Sequence, residues 1–174
     1  MAIVCLMIAM LFSYADEYLI YNADKMQQFW RLVTAHLVHT DHYHLLGNLL
    51  AFALLIYLFP ISWQKQILVF IVAIVFIDIY LIVFSIETYA GLSGLIYAIP
   101  GAYFFQLLKQ KKYTPALIIL SILLLYVLII SPQTSLIQSN SWQPLKAAHL
   151  LGFMAGISVL FNLSYKSLFE KNAH

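Results

Sequence analysis

The chain has 174 residues, 63% of them hydrophobic and 9% charged, with a formal net charge of +2. A soluble domain averages about 25% charged residues, so a water-soluble fold is excluded as the working expectation. A single cysteine, Cys5, rules out an intrachain disulfide and a multi-cysteine metal site.

Six apolar runs follow one another along the chain, at roughly 2–20, 43–59, 66–84, 93–108, 115–131 and 146–164. Each approaches the ~20 residues that cross a ~30 Å hydrocarbon core, and unpaired backbone groups are costly in lipid, so helices are predicted. The period-2 alternation of a barrel is absent. The expected fold is an all-α membrane protein, one bundle of six transmembrane helices forming a single domain over 1–174. With the amino terminus inside, the inner face carries Lys65, Lys109, Lys111, Lys112, Lys166 and Lys171 against Glu170. The outer face then carries Lys25, Arg31 and Lys146 against Asp16, Glu17, Asp24, Asp41, Asp78 and Glu87. That bias predicts both termini on the cytoplasmic side.

The first run reads as an anchor. Ser13-Tyr14-Ala15 resembles a small-x-small cleavage site, but no basic residue precedes the run, so retention and removal both stand as readings. The polar connection from about 15 to 42 holds Tyr14, Tyr18, Tyr21, Phe29 and Trp30, aromatics that settle at a membrane interface. Arg31 is expected to tie this segment to a lipid phosphate or to a carbonyl within the loop. His36, His39, His42 and His44 form a histidine cluster without the glutamate of a zinc-protease motif, so capping and loop hydrogen bonds are the expected role and no metal or cofactor is predicted. His44 and Asn48 differ because they sit within an apolar run at i and i+4, on one helix face. Polar groups at such depth turn toward the bundle interior, either for helix pairing or for chemistry.

Asp78 lies in the outer half of the third run, ~18 Å above Gln66, and is expected to brace the loop that follows it. The fourth run opens with Gly91-Leu92-Ser93-Gly94, followed by Tyr97, and Pro100 is expected to bend it. Gly94, Ala98 and Ala102 form a stripe of small residues, as do Ala148, Gly152 and Gly156 of the sixth run, and the two stripes are predicted to face each other. The fifth run is rich in Leu and Ile, has no glycine, and is expected to serve as a mobile lateral gate. The outer loop from Ser131 to Lys146, with Pro132, Trp142 and Pro144, is a candidate cap.

Depth links three polar residues. Ser93 is sixteen residues before Lys109, His44 sixteen before Pro60, and His149 seventeen before Lys166. At ~1.5 Å per residue all three lie ~24–26 Å above the inner ends of helices running the same way. A serine needs a base within reach, and neutral imidazole suits the task. Ser93 and His149 are therefore a candidate nucleophile and base, a dyad, since no carboxylate accompanies His149. Tyr97, one turn below Ser93, is expected to pack on the imidazole. His44, Asn48 and the Ser93 backbone N–H are candidate donors to an oxyanion. His39 is expected to line the path by which water enters.

Trp30-Arg31, His39 with His44-x-x-x-Asn48, Gly91-Leu92-Ser93-Gly94 with Tyr97, and Ala148-His149-x-x-Gly152 together resemble the rhomboid intramembrane serine proteases over roughly 30–165. The resemblance implies that Ser93 is the nucleophile, His149 the general base, His44 and Asn48 oxyanion donors and Tyr97 a stacking group, with Gly91, Gly94 and Gly152 shaping the site. Many rhomboids have a glutamate and glycine at the inner end of the second helix, where this chain reads Tyr57-Leu58-Phe59-Pro60. The form expected is compact, without a cytosolic amino-terminal domain or a seventh helix. With Ala35-His36-Leu37-Val38-His39 it is similar to the bacterial rhombosortase branch, whose substrates carry a carboxy-terminal Gly-Gly motif, an apolar helix and a basic tail. The implied setting is a bacterial inner membrane with the site opening to the periplasmic side. The partners implied are the lipid bilayer and membrane-anchored proteins with a transmembrane helix; no nucleic acid is expected, and oligomeric state is left open. Two rival readings are a catalytically silent rhomboid-like protein that binds membrane clients and a histidine-based metal or proton transporter.

Overall fold

The structure, a computed structural model, describes residues 16–39, 42–125 and 145–172, with side chains for 18–39, 43–125 and 145–162. Most of the first apolar run, with Cys5 and the Ser13-Tyr14-Ala15 motif, and most of the candidate cap with Pro132, Trp142 and Pro144 lie outside the described residues. The chain order is α1 (Asp16–Leu19), β1 (Tyr21–Asn22), a 3-10 turn (Ala23–Lys25), α2 (Trp30–Thr34), α3 (His42–Leu58), α4 (Trp63–Val83), β2 (Thr88–Tyr89), α5 (Ser93–Ile96), α6 (Ala98–Lys109), α7 (Tyr113–Leu125) and α8 (Lys146–Asn172).

Helix α4 shows how the bundle divides its surfaces. Val69, Ala73, Ile77 and Leu81, four residues apart, are fully buried, while Ile71, Val75 and Ile79 on another face are exposed. On α3, Leu46, Leu50 and Leu54 form a similar exposed stripe, and Leu117, Ile118 and Ile122 do so on α7. Apolar stripes of this extent mark a lipid-facing or partner-facing exterior. Among the described residues α4 is the one helix both long and apolar enough to cross a bilayer, at 21 residues and a mean hydropathy of 2.8. Tyr43–Leu58, Tyr113–Leu125 and Lys146–Asn162 are shorter apolar helices.

The run expected over 93–108 is two helices, α5 and α6, separated at Tyr97. Pro100 accounts for the break: it has no N–H to donate to the carbonyl four residues back, and its ring crowds that carbonyl, which belongs to Ile96, the last residue of α5. Helix α8 packs chiefly against α6 and α4. A Cβ at Gly152 would strike the Gly94 carbonyl oxygen and lie 3.0 Å from the Gly94 carbonyl carbon, and one at Gly156 would lie 2.6 Å from the Ala102 nitrogen. The reverse holds at Gly101, where a Cβ would lie 2.8 Å from the Phe153 carbonyl carbon. Backbone meets backbone along this seam, as small-residue stripes allow.

The connection before α3 is more ordered than an interfacial segment requires. Tyr18 and Phe29 are exposed, but Tyr21 is only 2% exposed, because β1 pairs antiparallel with β2 in the register Tyr21 to Tyr89 and Asn22 to Thr88. Arg31 is buried and takes the carbonyl alternative: its Nη1 donates to Ile20 O at 2.8 Å and its Nε to Gln28 Oε1 at 2.6 Å. Thr34 Oγ1 donates to Leu19 O at 2.7 Å, and Trp30 Nε1 to Tyr18 O at 3.3 Å. Asp78 reaches this earlier connection directly, since its Oδ1 lies 3.1 Å from His36 Nε2. The pair is 42 residues apart in sequence, which helical spacing gives no means of anticipating.

Candidate active site

Ser93 is the first residue of α5, and the turn before it is held from two sides. Gly91 has φ 126°, a conformation that side chains with a Cβ rarely adopt. Its N–H donates to Ala35 O at 2.8 Å, and its carbonyl accepts from Tyr89 Oη at 3.1 Å. At Gly94, next to the serine, a Cβ would lie 2.7 Å from Cδ1 at the flexible end of Ile77 and 3.3 Å from the Ala148 Cβ, so α8 comes close to the backbone here. Ala148 precedes His149, so this contact and the missing Cβ of Gly152 bring α8 onto α5 on either side of the histidine.

His149 is 2% exposed, and its Nε2 lies 2.9 Å from Ser93 Oγ. Both groups have reached hydrogen-bond range across 56 residues of sequence. In the neutral tautomer with the proton on Nδ1, Nε2 accepts from the serine hydroxyl, which is the arrangement a general base requires. The Tyr97 ring stacks on the imidazole with centroids 4.5 Å apart and an interplanar angle of 25°, and so fixes its plane. The break between α5 and α6 falls at this tyrosine.

His44 and Asn48 sit one turn apart on α3, which packs against α5. His44 is half-buried. Asn48 is buried, and its Nδ2 has no hydrogen-bond acceptor among the described residues. A buried amide donor left unpaired costs ~1–3 kcal/mol, which a ligand oxygen would recover. His39 is 1% exposed and meets the His44 ring edge-on with centroids 5.0 Å apart. Among the described residues no three His, Cys, Asp or Glu side chains converge as a metal-binding group. An apolar cavity of about 380 Å³ adjoins the site, lined by Leu54 and Leu58 of α3, Tyr97, Pro100, and Ile119 and Ile122 of α7.

A small helical bundle with a lipid-type exterior and a serine–histidine pair at its buried seam defines a class of membrane-integral proteins. The chain belongs to the rhomboid domain family, whose domain pattern matches residues 26–166. Rhomboid-related protein 2 of Mus musculus is similar to it, 26% identical over 163 residues, covering 88% of this chain and 53% of the relative. The chain thus spans about half the length of that relative.

Sequence reasoning missed the buttress behind the serine turn. The β1–β2 pairing joins two segments of two residues each, too short for any alternation to register. Tyr21 reads as an interfacial aromatic, nothing in the sequence singles out Tyr89, and only Asp78, a carboxylate within an apolar run, points to a partner in the protein interior.

Proposed function

We propose that this protein is an intramembrane serine endopeptidase in which Ser93 and His149 form a catalytic dyad. The observation that carries this reading is the 2.9 Å approach of Ser93 Oγ to His149 Nε2 inside a rhomboid domain. His149 Nε2 takes the hydroxyl proton as Ser93 Oγ bonds to the scissile carbonyl carbon, and the carbonyl oxygen becomes an oxyanion. His149 then returns the proton to the departing amine, leaving an acyl-enzyme. Water attacks the ester, giving its proton to His149, and the carboxylic product leaves as Ser93 recovers its hydrogen. The oxyanion is held by Asn48 Nδ2, by His44 and by the Ser93 backbone N–H.

The setting that fits this chemistry is one domain over 1–174 with six spans, both termini cytoplasmic and the site opening to the periplasmic side of a bacterial inner membrane. The substrate is a membrane-anchored protein cut in or near its transmembrane helix, of the rhombosortase kind with a carboxy-terminal Gly-Gly anchor. Helix α7 serves as the lateral gate: it packs mainly on α6, it is largely exposed, and it forms one wall of the apolar cavity below Tyr97.

The test is cleavage of a single-span substrate by the purified protein in proteoliposomes. Cleavage unaffected by chelators is expected; its absence with every helical anchor tried, or its loss with metal removal, would contradict the proposal. In the same assay Asn48→Ala lowers kcat by ~10², the usual worth of one oxyanion donor. A purely structural asparagine would instead lower the melting temperature and leave activity per folded molecule unchanged.

A further inference from the structure

Asp78, His36 and Tyr89 perform no step of the chemistry above, yet they form a chain behind the serine turn, with His36 and Tyr89 buried and Asp78 half-buried at its far end. His36 is completely buried, and its Nε2–H donates to Asp78 Oδ1 at 3.1 Å. The same ring meets Tyr89 edge-on, with centroids 5.2 Å apart and planes at 61°. Tyr89 Oη donates to Gly91 O at 3.1 Å, and a Cβ on Gly94 would lie 3.1 Å from Tyr89 Oη. The phenol therefore holds the carbonyl of Gly91 before Ser93 and leaves little room for a side chain on the residue after it. The second hold on Gly91, from its N–H to Ala35 O at 2.8 Å, comes from the residue next to His36. Gly91 needs these holds, since its positive φ of 126° is one of several conformations open to glycine. Burial raises the Tyr89 phenol well above its ordinary range, and the Asp78 carboxylate adds to the shift, so the hydroxyl stays a donor at physiological pH.

We propose that Asp78, His36 and Tyr89 are positioning residues, a strut from α4 through the end of α2 to β2 that fixes the Gly91–Gly94 turn and keeps Ser93 Oγ in reach of His149. The inference rests on Ser93 being the nucleophile. It differs from simple core packing in what it demands: a small movement of an attacking atom costs rate far more than stability, up to ~10² for ~1 Å.

The decisive variant is Tyr89→Phe, which removes one hydroxyl and keeps the ring against His36. It lowers kcat ~10-fold with KM unchanged, and it speeds amide hydrogen exchange in the segment 90–94, measured by mass spectrometry on the full chain in detergent. Asp78→Asn retains an oxygen that accepts from His36 Nε2–H and stays within ~3-fold of the wild-type kcat, whereas Asp78→Leu falls with Tyr89→Phe. Should Asp78→Leu fail to fold, Tyr89→Phe and the exchange measurement decide alone. Wild-type cleavage together with unaltered kcat and exchange in Tyr89→Phe overturns the inference while the protease reading stands. Absence of cleavage by the wild-type protein overturns the protease reading and the positioning role with it.

Discussion

Ser93→Ala lowers proteolysis by at least ~10⁴-fold and leaves the helical bundle folded. The size follows from what the substitution removes in the proposed mechanism: the atom that would bond to the substrate and the proton that His149 would accept. The side chain is small and only half-buried at the start of α5, so little packing is lost. Because nucleophile and base act as one unit, His149→Ala should cost nearly as much, and the double variant little more than either alone. The check is initial cleavage rate per folded molecule, with melting temperature measured in the same detergent. Retention of more than a tenth of the wild-type rate by Ser93→Ala would remove this hydroxyl from the chemistry.

Gly152→Ala is the second large effect, and it acts on the fold. The added methyl would land on the Gly94 carbonyl oxygen and lie 3.0 Å from the Gly94 carbonyl carbon. Both obstacles are backbone, so no rotamer relieves them and α8 must move away from α5 and α6. Overpacking of this kind costs ~3 kcal/mol, and the same movement draws His149 from Ser93, so stability and activity fall together. Gly47→Ala is the control: a Cβ there meets nothing within 4 Å, and alanine in a helix interior is favoured over glycine by ~0.5–1 kcal/mol. Thermal melts of the two variants should therefore shift in opposite directions. Equal melting temperatures would mean that the seam is not closed in the membrane protein as it exists.

The parts of the fold that follow from local rules were legible in the chain. Apolar runs located α3, α4 and α7, since burial on one side and lipid on the other leaves long hydrophobic segments with few breaks. Small residues at spacings of four marked the seam where Gly152 and Gly94 touch, and the pairing of Ser93 with His149 is met by their 2.9 Å approach. Parts settled by contacts distant in sequence were not legible. Asp78 was recognised as needing a partner, but the spacing of α4 says nothing about which loop folds back over it. Tyr21 was assigned to the interface by residue type and is buried by a two-residue strand pairing. Pro100 was expected to bend one helix, and the cost of crowding the Ile96 carbonyl divides it into two instead, with Tyr97 at the division.

The most direct test of the serine–histidine dyad is mass-spectrometric mapping of a fluorophosphonate probe on the full chain in detergent micelles. The result expected is a single phosphonyl adduct on Ser93, formed in the wild-type protein and lost or slowed at least ~10²-fold in His149→Ala. An adduct elsewhere with Ser93 unmodified, or a Ser93 adduct forming equally fast without the imidazole, would contradict it.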